Sequence, residues 1–279
     1  MAGNDLKNDN FVSNETPIML REGEIVFEGM TSISSIFHGI AQGICERSVL
    51  RVYFDKERLQ KKEKEYRFLE AQSKKYSFPL LLTDRDTLDQ MTTGNTHGGI
   101  VAICTERTLP CLRDVVRQEG AVFGKKDGFF VLLEGIEDPY NFGYTLRSLY
   151  AAGVDGVVLP PRNWMQVAGI VARSSAGASE QLPMAIAESV EAVQCMHGLG
   201  YRIVCAGIRD SVSMYQADLR LPLLLVIGGE KRGISSAILS QADVITRIDY
   251  GRSFRGSLSA ASAATVLAFE VLRQNTLGE

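Results

Sequence analysis

Three segments in the second half of the chain place polar residues just beyond an apolar run, the position from which α/β proteins reach their ligands. The first is Asp138-Pro-Tyr-Asn-Phe-Gly-Tyr-Thr-Leu-Arg-Ser, directly after Phe129–Leu133. Pro139 disfavours helix at Asp138, and Asn141 is suited to cap the helix that follows. Arg147 then falls six residues into that helix, about 9 Å along its axis at 1.5 Å per residue. Taken alone, the segment reads more readily as a capped crossover helix with a solvated arginine.

The second segment is Leu221-Pro-Leu-Leu-Leu-Val-Ile-Gly-Gly-Glu-Lys-Arg-Gly-Ile-Ser, in which a buried strand empties into Gly228-Gly229 and then Glu230. Glycines there allow a ligand close to the backbone and its N–H groups, although a Gly-Gly after a strand is also an ordinary turn. The third is Ile248-Asp-Tyr-Gly-Arg-Ser-Phe-Arg-Gly-Ser-Leu-Ser-Ala-Ala-Ser-Ala-Ala. It runs from a strand through a glycine-rich basic loop into a helix that opens almost entirely with Ser and Ala. Ser257 is a candidate cap, and the small residues suit close contact with a ligand or another helix.

In combination and in this order, the segments resemble the SpoU (TrmH) family of RNA ribose methyltransferases in the SPOUT superfamily. Asn-x-Gly-x-x-x-Arg follows one strand, Gly-Gly-Glu a second, and a Ser-Leu helix start a third. Ala151-Ala-Gly-Val-Asp-Gly-Val-Val-Leu-Pro and Ser174-Ser-Ala-Gly-Ala-Ser-Glu-Gln-Leu-Pro support the match between them. The resemblance spans about Phe129 to Gln274. More loosely, the stretch through Thr96-His-Gly-Gly-Ile-Val-Ala resembles the substrate-binding domain often fused to this family.

The resemblance implies an α/β fold: a C-terminal parallel-sheet SPOUT domain with a trefoil knot, preceded by a small α/β substrate-binding domain. It implies S-adenosylmethionine as cofactor, bent into the knot and held mainly by backbone. Carried over, the cofactor-binding positions are Ala206, Gly207, Gly228, Gly229, Ile248, Leu258 and Ser259. The catalytic positions are Asn141, Arg147, Glu230 and Ser257. A sulfonium donor is already activated, so the enzyme chiefly aligns the ribose 2′-hydroxyl and stabilises charge developing on its oxygen. Arg147 suits that task, because a guanidinium rarely gives up its proton. Glu230 and Asn141 would hold Arg147 and the loops in place. One departure stands out: Ser259 occupies the place of the family's Asn in Ser-Leu-Asn. The preceding loop is also about one residue longer and carries Arg252 and Arg255. These two arginines and His97 are the expected RNA-binding residues. A homodimer with the last helix at its interface is implied too, and ribosomal RNA is favoured as substrate over transfer RNA.

The elements that must position these residues can be read from the pattern. Residues 1–17 look disordered. From 18 to 104 a small α/β domain is expected, with helices over Ile33–Ile44 and Asp55–Lys75 and strands at Val49–Phe54 and Phe78–Leu82. A helix begins at Asp84–Asp89, and a strand follows His97. Residues 105–128 are polar and mixed and read as a linker. From 129 to 279, apolar runs at Phe129–Leu133, Gly156–Leu159, Arg202–Ala206, Leu221–Ile227 and Val244–Ile248 alternate with helical segments, the pattern of a parallel sheet covered on both faces. The last helix is expected over Ser257–Gln274, with an inner stripe of Ala261, Thr265, Ala268, Phe269 and Leu272.

Composition is that of a folded protein, 45% hydrophobic and 23% charged. No apolar run approaches the roughly 20 residues that span a bilayer, and the polar start does not read as a signal peptide. Cysteines at 45, 104, 111, 195 and 205 form no C-x-x-C pair, which favours reduced thiols and a cytoplasmic setting. His38, His97 and His197 lack metal-ligand spacing, so no metal is expected. The net charge of −3 leaves RNA binding to a local basic face. A nicotinamide-dependent oxidoreductase would need G-x-G-x-x-G between strand and helix, whereas Gly198-Leu-Gly200 precedes its strand. An RNA-binding member of the fold without catalysis is the other alternative, motivated by Ser259.

Overall fold

A computed structural model of the chain describes residues 20–92, 96–161 and 167–276. The disordered tail expected over 1–17 lies outside the described residues. The first part comprises β1 (Glu24–Glu28), α1 (Gly29–Ala41), β2 (Val49–Asp55), α2 (Glu63–Tyr76), β3 (Leu80–Thr83), α3 (Arg85–Met91) and β4 (Ile100–Thr105). Its strands form a mixed sheet in the order β1-β4-β2-β3, with only β2 and β3 parallel.

Two features differ from expectation here. The charged stretch Asp55–Lys75 is not one helix: Asp55 ends β2, its carboxylate accepts from the Glu57 N–H at 3.0 Å, and a short 3-10 turn precedes α2. The residues expected to form a linker are not a free tether. They contain α4 (Leu112–Val115) and bury Leu112 and Phe123 against the second sheet.

That second sheet is parallel throughout, in the order β7-β6-β5-β10-β8-β11-β9. Its strands are β5 (Phe129–Glu134), β6 (Gly156–Leu159), β7 (Met184–Ile186), β8 (Arg202–Ala206), β9 (Val212–Ser213), β10 (Leu223–Gly228) and β11 (Val244–Arg247). Between and after them run α5 (Pro139–Ala151), α6 (Ala168–Ser174), α7 (Ala178–Gln181), α8 (Ser189–Gly198), α9 (Ser236–Leu239) and α10 (Ala260–Thr276). Side chains alternate across each strand. Phe129, Val131 and Leu133 enter a core with Leu146 and Leu149 of α5 and Leu267 of α10. Phe130 and Leu132 enter the opposite core with Val193 and Met196 of α8. Burial on both faces is why these strands read as unbroken apolar runs.

Helix α10 is rotated relative to its expected stripe. Ala260, Ala264, Leu267, Ala268 and Val271 are buried, whereas Phe269 is exposed and Ala261, Thr265 and Leu272 are half-buried. The small residues therefore serve the packing of α10 on α5 within the chain.

The two parts share a core. Ala168 and Ala172 of α6 sit in one cluster with Phe27, Ile33 and Ile36. Beside it, Glu180 of α7, 1% exposed, accepts from Arg47 Nε at 2.8 Å and from the Cys45 thiol at 3.3 Å. The buried Arg107 guanidinium donates to three carbonyls, those of Ser179, Ile44 and Leu182. Glu180 is held below its ordinary pKa: burial pushes it up, but the adjacent Arg47 and Arg107 outweigh that.

Candidate functional site

Strands β10, β8 and β11 are neighbours, so their carboxyl ends open side by side. The three loops leaving them enclose a cavity of about 490 Å³, within the range of small-molecule sites. Ala206, Gly207, Gly228, Gly229, Ile248 and Leu258 line it, together with Glu230 and Ser257. Ile227, Leu239, Ile245 and Leu267 supply apolar wall. Backbone-rich loops and apolar side chains fit a cofactor that carries a flat heterocycle and polar ends.

The glycines here owe their identity first to the chain itself. A Cβ on Gly229 would stand 2.0 Å from the Gly135 carbonyl oxygen, and one on Gly228 would stand 2.4 Å from the Gly233 carbonyl carbon. The Gly229–Gly233 turn closes with a 2.9 Å hydrogen bond from the Gly233 N–H. These contacts set the shape of the wall before any ligand enters.

Glu230 leaves this turn and accepts from Asn141 Nδ2 at 2.9 Å. Asn141 is free to do so because it does not cap α5. That position belongs to Asp138, whose carboxylate accepts from the Asn141 N–H at 2.8 Å, with Pro139 as the first helical residue. Gly143 lets α5 lie against α6, since a Cβ there would stand 1.9 Å from Ser174 Oγ. Arg147 lies exposed on α5, outside the cavity wall. It makes no hydrogen bond or ion pair among the described residues, so Asn141 and Glu230 do not hold it directly.

Ser257 is exposed on the cavity wall and does not cap α10. Ser259 does, its hydroxyl accepting from the Ser262 N–H at 3.2 Å. Ser259 is thereby drawn into the helix start and is absent from the wall. His97 lies far from expectation. It is 2% exposed, with Nε2 at 2.8 Å from Asp89 and Nδ1 accepting from the Gly99 N–H. One ring nitrogen is spent on α3 and the other on the loop before β4, which leaves no edge for RNA. Arg252 and Arg255 are exposed in the loop between Tyr250 and Ser257.

Arg209 and Arg232, absent from the expected site residues, also line the cavity and are exposed. Arg232 stands inside the quoted Gly-Gly-Glu-Lys-Arg-Gly run, and Arg209 follows Ala206-Gly207 by two residues, so proximity to the motifs was the available signal. Among the described residues no group of three His, Cys, Asp or Glu is placed to hold a metal ion, and no helix is long and apolar enough to cross a membrane.

Residues 128–269 match the SpoU rRNA Methylase family, and residues 39–110 match the RNA 2′-O ribose methyltransferase substrate-binding family. A Bacillus subtilis protein named for the TrmH family of tRNA/rRNA methyltransferases is 31% identical over 209 residues, 74% of this chain and 82% of its own length. The 23S rRNA (guanosine-2′-O-)-methyltransferase RlmB of Shewanella oneidensis is 28% identical over 73% of this chain and 81% of its own. In fold, the chain is similar to an AdoMet-bound rRNA methyltransferase from Sinorhizobium meliloti. The TM-score is 0.72 at 20% identity, over 90% of this chain and 88% of that one. The chain belongs to the SpoU rRNA methylase family of RNA 2′-O-ribose methyltransferases, with the family's substrate-binding domain ahead of the methylase domain.

Proposed function

We propose that this chain methylates a ribose 2′-hydroxyl of ribosomal RNA with S-adenosylmethionine bound in the cavity at the ends of β8, β10 and β11. The observation that carries the reading is the convergence on one cavity of six of the seven expected cofactor positions with Glu230 and Ser257. Ala206, Gly207, Gly228, Gly229, Ile248 and Leu258 would hold the cofactor, which supplies an activated methyl group on sulfur. Ribosomal RNA is favoured by the names of relatives such as the Shewanella oneidensis protein, and the TrmH-type names keep transfer RNA as the alternative.

In this reading the protein's own work is alignment and charge stabilisation. Glu230, fixed by Asn141, shapes the lip of the cavity and ties it to α5. Ser257 presents a hydroxyl at the wall to orient the incoming ribose. Arg147 stays protonated and stabilises the negative charge growing on the 2′-oxygen. The functional division into 18–104 for RNA recognition, 105–128 as connector and 129–279 for chemistry belongs to the same proposal. So does the trefoil threading, supported by the seat of β10 between β5 and β8 and the return of α10 onto α5. A homodimer completes it, supported by the exposed Tyr144 and Phe269 on α5 and α10, and so does a cytoplasmic setting, supported by the free cysteines. The second reading, an RNA-binding member without chemistry, is favoured only by Ser259, which lies off the wall.

The test is transfer of labelled methyl from S-adenosylmethionine to total RNA, followed by mapping of the modified nucleotide. A 2′-O-methyl mark in ribosomal RNA is expected. Cofactor binding with no transfer to any RNA would replace this reading with the second.

A further inference from the structure

Between Tyr250 and Ser257, both on the cavity wall, the loop from β11 to α10 alternates aromatic and basic side chains: Tyr250, Arg252, Phe254, Arg255. The Tyr250 and Phe254 rings meet at 5.8 Å between centroids, tilted by 59°. Tyr250 is tethered, its hydroxyl accepting from the Leu258 N–H at 3.2 Å. Phe254 leans over the Gly256 backbone, where a Cβ would stand 2.6 Å from its ring. Yet Phe254 is 59% exposed. Braced from beneath, the ring presents an open flat face beside the cavity mouth.

The charges around it say what kind of cover. Arg209, Arg232, Arg252 and Arg255 are exposed and make no hydrogen bond or ion pair among the described residues. Their cationic neighbours are already neutralised: Lys231 by Glu137 at 2.6 Å and Arg247 by Asp249 at 2.9 Å. Glu230 accepts the Asn141 amide, which leaves Asp210 as the exposed carboxylate beside Arg209. In a chain of net charge −3 this excess of free guanidinium is local. It calls for a polyanion, and the ring calls for a flat apolar face.

An unpaired nucleic acid strand offers both, whereas a duplex hides its base faces in the stack. We propose that this loop, with Arg209 and Arg232, binds an unpaired stretch of RNA: Phe254 stacks a base beside the target nucleotide, and the four arginines take neighbouring phosphates. The inference deepens the methyltransferase reading by requiring that the segment at the site be single-stranded. Phe254 acts here as a positioning residue.

The experiment uses the full chain and a labelled single-stranded RNA of about 12 nucleotides, within the usual site sizes of single-strand binders, beside the same strand annealed to its complement. The single strand should bind more tightly than the duplex. Phe254→Ala should weaken single-strand binding by about 5- to 150-fold, the range for losing one stacked base, and Phe254→Trp should restore it. In methyl transfer the loss should appear mainly in KM for RNA. Arg209→Gln with Arg232→Gln should make the salt dependence of single-strand binding shallower by about 1.4, or 0.7 per phosphate contact.

Equal binding of duplex and single strand would overturn the proposal. So would a Phe254→Ala variant with unchanged RNA affinity, whether it instead binds S-adenosylmethionine more weakly or loses a dimer in light scattering. In the first case the ring belongs to the cofactor site, and in the second a further copy of the chain covers it. Transfer by wild-type protein, measured alongside, separates the two levels. If methyl is transferred while Phe254→Ala binds RNA normally, only this inference falls. If no methyl is transferred but single-strand binding depends on Phe254, the methyltransferase reading falls and the RNA surface stands.

Discussion

The Asn141 side-chain amide donates to the Glu230 carboxylate at 2.9 Å, joining two segments 89 residues apart in sequence. It ties the first turn of α5 to the turn that walls the cavity, while Asp138 caps the helix. A hydrogen bond to a charged group contributes about 1.5–3 kcal/mol when its partners are held, and this exposed pair belongs at the low end.

Asn141→Ala and Glu230→Ala should each lower stability modestly, by about 1.5 kcal/mol, and lower methyl transfer more than either lowers cofactor affinity. Because they break one link, the double variant should be scarcely worse than the single ones. A double-mutant cycle on unfolding free energy checks this: strict additivity would mean the two side chains do not act together.

Arg147 has no partner to lose among the described residues, so Arg147→Ala should leave the melting temperature and cofactor affinity nearly unchanged. Methyl transfer should fall by about 100- to 1000-fold, the usual cost of one charge-stabilising donor. Arg147→Lys should rescue little, since a point charge does not reproduce the planar fork. Single-turnover transfer at saturating cofactor and RNA is the measurement, and a wild-type rate in Arg147→Ala would put the reacting oxygen elsewhere.

Gly229→Ala sets a methyl group 2.0 Å from the Gly135 carbonyl oxygen. Its damage should therefore appear as a lower melting temperature in the absence of any ligand. Calorimetry on the unliganded protein decides: a normal melting temperature with lost cofactor binding would show that the site needs this glycine for the ligand alone.

Arg47 and Glu180 give the clearest stability signal. Removing Arg47 strands a carboxylate buried to 1% exposure, so Arg47→Met should cost about 3–5 kcal/mol in urea unfolding. Glu180 is depressed in the folded chain, so the unfolded chain takes up its proton first as pH falls. Its contribution is therefore complete above the ordinary glutamate range, about 4.3, and is lost as pH drops through the lower folded value. Glu180→Gln should flatten the acid limb of a stability-versus-pH curve. An acid limb identical to wild type would remove Glu180 as its source.

What the sequence made legible follows burial. Phe129–Leu133 and Gly156–Leu159 are buried on both faces, and their unbroken apolar runs announce the strands. β1 and the two-residue β9 escaped because short edge strands give little pattern. The stripe of α10 was misplaced because Ser and Ala on every side leave no contrast between inner and outer faces. Asn141 and Ser257 suit helix caps by residue type, yet Asp138 and Ser259 fill those positions. His97 looked available for RNA because its partner Asp89 lies eight residues earlier on α3. The Arg47–Glu180 contact spans 133 residues, and no local spacing could announce it.

That contact has a bearing on target choice. Arg47 stands in the stretch that matches the substrate-binding family and Glu180 in the methylase, and around them Ala168 and Ala172 share a core with Phe27 and Ile33. The shared core and the buried ion pair join the two halves, which sets the span between the substrate-binding part and the cavity behind Glu230. If RNA is gripped there as proposed, a fixed span would select a nucleotide by its distance from the gripped feature, as calipers set to one width accept one object. Lengthening the RNA between the two by a few base pairs should defeat it even when every contacted nucleotide is kept.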